Sequence, residues 1–319
     1  MKNGVKIMGC AVVVAVVTLP VWSEGDKKGV DARPYISINQ EDVVNMTDNR
    51  TVDLKALVER LSSDIKETGV YRVMNMEDAI KVVKKANQMS VVADDGTRET
   101  KIEAPGFFIG LSITTCGLNT VATQNAYMGT FIDTELAKVE LILKVVDART
   151  GEMIKSICLA GSAMGQVTGA VSNLREQILQ TAMAKVREKI VYELVKLTPF
   201  GILDVENGVV SLDVPSSLKI MGKPVQPGTQ FTVAKLGRGK RSKRTGKMTY
   251  PETQVAVVSV TTVGEDSCSA QILSGAITPI GDNEDTQYDP YIVKINEGAA
   301  ATPVPAAVAP AAGNAATPF

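Results

Sequence analysis

The spacing of apolar residues changes twice along the first half of the chain. Residues Tyr35–Asn39 alternate between apolar and polar positions, which predicts a strand. After Asp53 the apolar residues recur at helical spacing, at Leu54, Leu57, Val58, Leu61 and Ile65. Gly69 is typical of a helix end, Val70–Met74 predicts a short strand, and Asn75 is a good N-cap for a second helix. The order predicted so far is strand, helix, strand, helix.

A period of two returns after Gly106 and predicts a three-stranded meander. The strands are expected at residues 107–115, 134–146 and 153–160, with Asp147–Gly151 as the turn between the last two. The segment 117–131 is expected to be a loop of about 15 residues, too short for two membrane-spanning strands of roughly nine to eleven residues each. The sequence therefore does not predict a pore.

A long amphipathic helix is expected to close this first domain. The glycine-rich segment 161–170 lacks the ending of a phosphate-binding loop and is interpreted as the linker into the helix. Asn173 and Glu176 have the spacing of a capping box, and Pro199 is expected to stop the helix. Together these elements predict an α/β fold, a mixed-sheet α/β sandwich over residues 34–198.

The pattern becomes all-β beyond Pro199. Asn207-Gly208 is a strong hairpin signal, and short apolar segments with glycine turns follow it. This part predicts a small all-β barrel over residues 199–297. The alanine- and proline-rich end, residues 298–319, contains no charged residue and is expected to be disordered.

The first residues have the layout of an export signal. Two lysines precede a nearly continuous apolar run, and small residues favour cleavage after Ser23 and before Glu24. Residues 1–23 are therefore interpreted as a signal peptide, and residues 24–33 as a polar linker. An uncleaved anchor and lipidation at Cys10 are the alternatives, but the run is shorter than a bilayer span and lies after Cys10. We expect a periplasmic protein or one at the periphery of the outer membrane, without a lipid anchor.

Composition excludes several kinds of chemistry. The chain contains 34 Lys and Arg against 35 Asp and Glu, and it has no histidine. Catalysis by Ser-His-Asp or Cys-His groups and histidine metal sites are therefore excluded. The acidic pair Asp94-Asp95 lies in a glycine-containing loop and is interpreted as solvated turn residues. The sequence predicts no catalytic residue, no metal site, no cofactor and no enzyme.

Three cysteines remain after the leader, at Cys116, Cys158 and Cys268, so at least one thiol is free. If Cys116 and Cys158 lie on the first and third strands of the meander, one intervening strand separates them by roughly 9 to 10 Å, beyond disulfide reach. We interpret them as buried small residues.

One segment is strongly charged. Residues 235–247, KLGRGKRSKRTGK, contain seven basic residues and no acid. Lys240, Arg241, Lys243 and Arg244 are candidates for binding an anionic glycan, a lipid or an acidic partner. The alternative is a solvated hairpin loop whose charges limit aggregation. The segment has no aromatic residue, which disfavours nucleic acid as a partner.

Two stretches resemble known families. Thr68-Gly69, Tyr71-Arg72-Val73, Asp147 with Thr150-Gly151, and Gly161-Ser162 resemble the corresponding helix end, strand, hairpin and strand end of the CsgG-like curli secretion and assembly family. That resemblance covers about residues 34–198 and implies a CsgG/TolB N-terminal-like fold. Pro227–Val233 and Thr245–Lys247 resemble the small C-terminal β domain of FlgT, over about residues 200–282.

The resemblance implies envelope assembly machinery and carries no catalytic residue. Our first hypothesis is a non-enzymatic exported envelope protein that binds protein partners in assembly, scaffolding or secretion, and that forms a ring-like homo-oligomer. The second is an envelope module that binds an anionic glycan or lipid through residues 235–247, and an enzyme is the third.

Overall fold

The computed structural model describes most of the two predicted domains. The described residues are 33–47, 52–75, 78, 106–124, 131–148, 150–166, 173–241, 243, 248–278 and 290–296. The predicted leader, its cleavage site at Ser23 and Glu24, Asp94-Asp95 and the C-terminal tail lie outside these residues. The predictions for those segments stay predictions.

The described residues form two compact units. The first contains the residues up to Pro199 together with Ser217–Pro224 and Gly237–Pro251, and the second contains Phe200–Ser216, Val225–Leu236 and the residues from Glu252 onward. The sequence-based boundaries assign residues 199–297 to the second domain, and so do not anticipate that Ser217–Pro224 and Gly237–Pro251 belong to the first unit. Those boundaries stay a prediction.

The first unit is built on a five-stranded mixed sheet. Its elements are β1 Tyr35–Asn45, α1 Leu54–Glu67, β2 Arg72–Met74, β3 Gly106–Gln124, β4 Phe131–Asp147, β5 Met153–Gln166 and α2 Leu174–Val195. The strand order is β2-β1-β3-β4-β5, with β1 parallel to β2 and β3 and the other pairs antiparallel. The sheet-rich fold expected from sequence is confirmed. A specifically CsgG-like arrangement stays a prediction.

The core of this unit lies between one face of the sheet and the two helices. Leu141 and Leu143 of β4 are fully buried, and so are Leu61 of α1 and Ile190 of α2. The two leucines are two positions apart on the strand, and the buried residues of each helix recur mostly every three to four positions. Each set therefore lies on one face of its element. The alternation seen in the sequence therefore identifies the buried face of the sheet.

Local sequence signals set several element ends. The Asp53 carboxylate accepts a hydrogen bond from the Ala56 amide at 3.0 Å and caps α1, and Gly69 has a φ of 71° after its end. Asn75 accepts a hydrogen bond from the Asp78 amide at 2.8 Å, as expected for an N-cap. The prediction of a capping box at Asn173 is wrong, because the backbone of Asn173 is in the αR region and its side chain makes no capping hydrogen bond. A capping side chain needs an extended backbone to reach the helix amides.

Two segments interpreted as irregular are strand. Residues 117–124 continue β3, which pairs with β4 as far as Gln124 opposite Phe131. The loop expected at 117–131 is therefore wrong for residues 117–124, and residues 125–130 lie outside the described residues. Residues 161–166 continue β5, so the linker expected at 161–170 is also wrong there. Glycine is needed in this strand because a Cβ at Gly161 would lie 2.5 Å from the carbonyl oxygen of Ala182 on α2.

The second unit contains a six-stranded antiparallel sheet. Its strands are β6 Ile202–Glu206, β7 Val209–Leu212, β10 Gln230–Leu236, β13 Glu252–Val263, β14 Cys268–Gly275 and β15 Tyr291–Ile295. The strand order is β15-β10-β13-β14-β7-β6. Phe200, just before β6, exchanges two backbone hydrogen bonds of 3.0 and 2.9 Å with Val293 of β15. This isolated pair connects the segments at the two ends of the sheet order.

Tight turns and two short hairpins complete the described elements. Asn207 and Gly208 both have positive φ, 50° and 79°, which is the geometry of the predicted hairpin turn between β6 and β7. The short hairpins are β8 Lys219–Ile220 with β9 Lys223–Pro224, and β11 Lys240–Arg241 with β12 Met248–Thr249. No described helix is long and apolar enough to cross a membrane.

Candidate functional site

A small apolar patch lies on the long strands β3, β4 and β5 of the first unit, near the end of the sheet where Gln124 pairs with Phe131. We call this the far end of the sheet. Leu136 of β4 lies opposite Met164 of β5, and Val121 of β3 lies opposite Thr134, two residues from Leu136. Paired residues and residues two apart share a face of a sheet, so Val121, Leu136 and Met164 are neighbours. Met164 is 74% exposed and Val121 is 47% exposed. We call these three residues the tip patch.

The opposite face of the same strands carries a buried carboxylate. Glu135 accepts hydrogen bonds from Nη2 and Nε of Arg175 at 2.6 and 3.0 Å, and from the Thr120 hydroxyl at 2.9 Å. The hydrogen bonds from Arg175 hold the pKa of Glu135 below its usual range. Because Arg175 lies in the first turn of α2, this ion pair fixes the far end of the sheet to the helix.

The outer edge of β5 is covered by lysine side chains from α2. Lys185 donates to the carbonyl oxygen of Ser162 at 2.9 Å, and Lys189 donates to that of Ala160. Lys155 of β5 pairs with Glu193 of α2. An edge strand exposes unpaired backbone groups, and lysine side chains are a common means of blocking further strand pairing there.

Three of the predicted anion-binding residues lie on the β11–β12 hairpin. Lys240 pairs with Thr249 and Arg241 with Met248, and Lys240, Arg241 and Lys243 are all exposed. Arg244 lies outside the described residues. The structure therefore places three of the four predicted residues on one exposed hairpin.

No disulfide joins the cysteines of the described residues, and these cysteines differ in exposure. Cys116 of β3 and Cys268 of β14 are buried, whereas Cys158 of β5 is exposed. Burial raises the pKa of both buried thiols, that of Cys268 to about 11. The interpretation of the cysteines as buried is thus wrong for Cys158, whose side chain lies on the sheet face opposite the helices.

A cavity of about 150 Å³ lies among α1, α2 and the β8–β9 hairpin. Lys219 Nζ lies 3.0 Å from Glu67 Oε2, and Arg187 Nε lies 2.8 Å from Asp64 Oδ2 without an aligned hydrogen bond. Four of the five charged side chains of the lining are engaged in these two pairs, and the fifth is Glu188. This lining assigns no ligand. Among the described residues, no group of three or more His, Cys, Asp or Glu side chains is arranged to hold a metal ion.

The sequence did not indicate the tip patch. Val121 falls in a segment interpreted as a loop, and Met164 in one interpreted as a linker, so neither had a predicted face. The signal that could have found them is the length of the β4 pattern, which continues through Leu136 and favours partner strands that extend as far.

Comparison with known proteins yields structural similarities only. No protein-family model matches the chain, and no curated protein matches it. A structure described as a homolog of the neuraminyllactose-binding hemagglutinin from Helicobacter pylori has 14% identity and a TM-score of 0.36, over 54% of this chain and 90% of that one. A minor lipoprotein from Acinetobacter baumannii has 8% identity and a TM-score of 0.29, over 51% and 92%.

The PelC dodecamer from Paraburkholderia phytofirmans has 10% identity and a TM-score of 0.25, over 49% of this chain and 85% of that one. All three TM-scores lie below 0.5, so these similarities assign neither a family nor a function. The resemblance to the CsgG-like and FlgT families is likewise not supported by a family match.

Proposed function

We propose that the protein is an exported, non-enzymatic component of the cell envelope that acts in assembly, scaffolding or secretion through contacts with other proteins. The tip patch is the observation that carries the proposal. Large apolar side chains that lie side by side on a surface favour association, because contact with a partner removes them from water.

The patch is held on a rigid support. On the other face of the same strands, Ala137 and Ala163 are buried, and Glu135 is bonded to Arg175. A rigid support lowers the entropic cost of binding, because few backbone torsions are fixed when the partner arrives. The flexible Met164 side chain adapts to the surface that it meets. These features suit a protein partner better than a small ligand.

Site-specific crosslinking in the native cells tests this function. A photo-crosslinking amino acid in place of Met164 is expected to give a discrete adduct with an envelope protein, identified by mass spectrometry. Met153, at the other end of β5 and also exposed, is the matched control position and should not give that adduct. The same adduct pattern at both positions, or none at Met164, would contradict a docking role for the tip patch.

A substitution provides an independent measurement. Met164→Glu places a charge within the tip patch and should abolish the adduct formed by a crosslinker at Val121. The fold should be retained, because Met164 is exposed. Unchanged crosslinking by a stably folded Met164→Glu protein would argue that the patch is not the contact.

A second candidate function is binding of an anionic glycan or lipid by Lys240, Arg241, Lys243 and Arg244. The exposure of the first three on the β11–β12 hairpin favours it. Clustered cations attract phosphate and sulfate groups, and this attraction weakens as salt screens it. Binding of this kind is compatible with protein docking elsewhere on the chain.

Retention on lipopolysaccharide or heparin tests the second function. Lys240→Ser with Arg241→Ser should elute at lower salt than the parent protein. The matched control is Lys55→Ser with Lys66→Ser, which removes the same charge from exposed positions on α1. Equal elution shifts for both pairs would indicate a nonspecific effect of net charge.

A further inference from the structure

The two edges of the sheet in the first unit carry opposite charge. At the β5 edge, Lys185 and Lys189 bond backbone carbonyl oxygens, and neither forms an ion pair with a described residue. No carboxylate of the described part of the chain therefore neutralises their positive charges. A carbonyl oxygen is a weaker acceptor for an ammonium group than a carboxylate is.

At the opposite edge, β1 carries an acidic bulge. β2 pairs only with Tyr35–Ser37 of β1, and the pairing of β1 with β3 is interrupted between Ile38 and Val43. Glu41 and Asp42 lie in this interruption, are exposed, and form no ion pair with a described residue. The Asn39 side chain accepts a hydrogen bond from the Glu41 amide at 3.2 Å and orders the bulge.

Exposed apolar side chains lie beside the bulge. Val44 is 48% exposed and Met46 is 68% exposed. Many protein interfaces combine exposed charged groups with apolar neighbours. The charges direct the contact, and the buried apolar area stabilises it.

We propose that a second copy of this chain is the partner at these edges, with Glu41 and Asp42 of one copy against Lys185 and Lys189 of the next. The proposal rests on the proposed function and deepens it by naming a partner and its surfaces. Two carboxylates at one edge complement two ammonium groups at the other. A contact between different surfaces of identical chains repeats head to tail and closes into a ring or continues as a filament.

The contact is made by side chains and does not extend the sheet through backbone pairing. The lysines occupy the outward carbonyls of β5, and a bulge interrupts β1, and both features oppose strand addition. A twofold contact between two β5 edges is also disfavoured, because it would place lysine against lysine. The head-to-tail arrangement is the one that pairs unlike charges at every contact.

Charge reversal tests the arrangement, using the protein purified after export and light scattering after size-exclusion chromatography. We expect an assembly larger than a monomer at low salt that dissociates as salt is raised. Lys185→Glu with Lys189→Glu, or Glu41→Lys with Asp42→Lys, should weaken association at least about tenfold. Lys55→Glu with Lys66→Glu on α1 is the matched control and should assemble like the parent.

Two restoration measurements make the test specific. The protein with all four reversals regains complementary edges and should assemble again. The two double variants, each monomeric alone, should associate when mixed, because one has two acidic edges and the other two basic edges. Circular dichroism checks the folding of each variant. If the lysine variant unfolds, the Glu41 and Asp42 variant still tests the proposal, because it is changed only on an exposed bulge.

A parent protein that stays monomeric at high concentration and low salt would overturn the proposal, as would reversals without effect or without restoration. Assembly with a different acidic protein through the intact lysines would also overturn the choice of a second copy. Failure here is distinct from failure of the proposed function, because crosslinking at Met164 reports on partner docking whether or not the chain assembles.

Discussion

The hydroxyl of Tyr71 donates a hydrogen bond of 2.5 Å to the carbonyl oxygen of Leu194, near the C-terminal end of α2. The same hydroxyl lies 2.7 Å from the Thr198 hydroxyl. The ring is 1% exposed, and burial raises the pKa of Tyr71. This contact joins a residue beside β2 to a helix end more than a hundred positions away in the chain.

Tyr71→Phe is expected to lower the free energy of unfolding by about 1–2 kcal/mol, because it leaves the Leu194 carbonyl oxygen without its donor and the Thr198 hydroxyl without its acceptor. Urea denaturation followed by circular dichroism measures the change. Tyr250→Phe is the control, since Tyr250 is 37% exposed and should change stability by less than about 0.5 kcal/mol. Equal stability of the parent and Tyr71→Phe proteins would mean that the hydrogen bond contributes nothing net.

Gly161→Ala is expected to destabilise the first unit by about 1–3 kcal/mol, because the new methyl group overlaps α2. Its Cβ would lie 2.5 Å from a backbone oxygen, which cannot move without shifting the helix. Gly117→Ala on β3 is the matched control, since its Cβ would have no neighbour within 4 Å. Thermal unfolding should separate the two variants, and a similar midpoint for both would contradict the close packing of β5 on α2.

The ion pair of Glu135 predicts a pH dependence of stability. Arg175 holds the pKa of Glu135 below its unfolded value of about 4.3, so the pair stabilises the folded state above that pH. The contribution is lost as pH falls through the folded-state pKa. Glu135→Gln should therefore be less stable than the parent at pH 7, with the difference shrinking in acid.

Urea denaturation at several pH values measures this difference. Glu59→Gln provides the control, because Glu59 lies on an exposed face of α1, 3.9 Å from Lys55, and should have little effect at any pH. A constant difference between the parent and Glu135→Gln from neutral to acidic pH would argue against the ion pair as its source.

Thiol modification should distinguish the described cysteines. Cys158 is exposed, and Cys116 and Cys268 are buried with raised pKa values, so iodoacetamide should modify Cys158 first in the folded protein. Peptide mass spectrometry assigns the modified site, and labelling in urea serves as the reference for full reactivity. Equal labelling rates at the three sites would contradict the observed burial.

The leader makes a prediction that needs no structure. Mass spectrometry of the exported protein should find Glu24 as the first residue, without a lipid on Cys10. A mature chain that begins at a lipidated Cys10, or one that retains its leader, would contradict the expected form without an anchor.

Local signals in the sequence determined the features that depend on neighbouring residues. Asp53 caps α1, Gly69 and Gly151 adopt positive φ, and Asn207-Gly208 forms a tight turn, because short-range sterics and hydrogen bonds decide these geometries. The alternation in β4 identified its buried face, since side-chain direction in a strand follows directly from position.

Only the tertiary structure decided where strands end and which surfaces they create. Glycine has a low intrinsic preference for strands, but Gly161 lies in β5 because pairing with β4 supplies backbone hydrogen bonds. The carbonyl oxygen of Ala182 lies too close for any side chain at this position. Val121 and Met164 become neighbours of Leu136 through strand register, and Lys185 reaches the β5 edge through helix packing. These relationships depend on contacts between distant parts of the chain, which periodicity within one segment cannot specify.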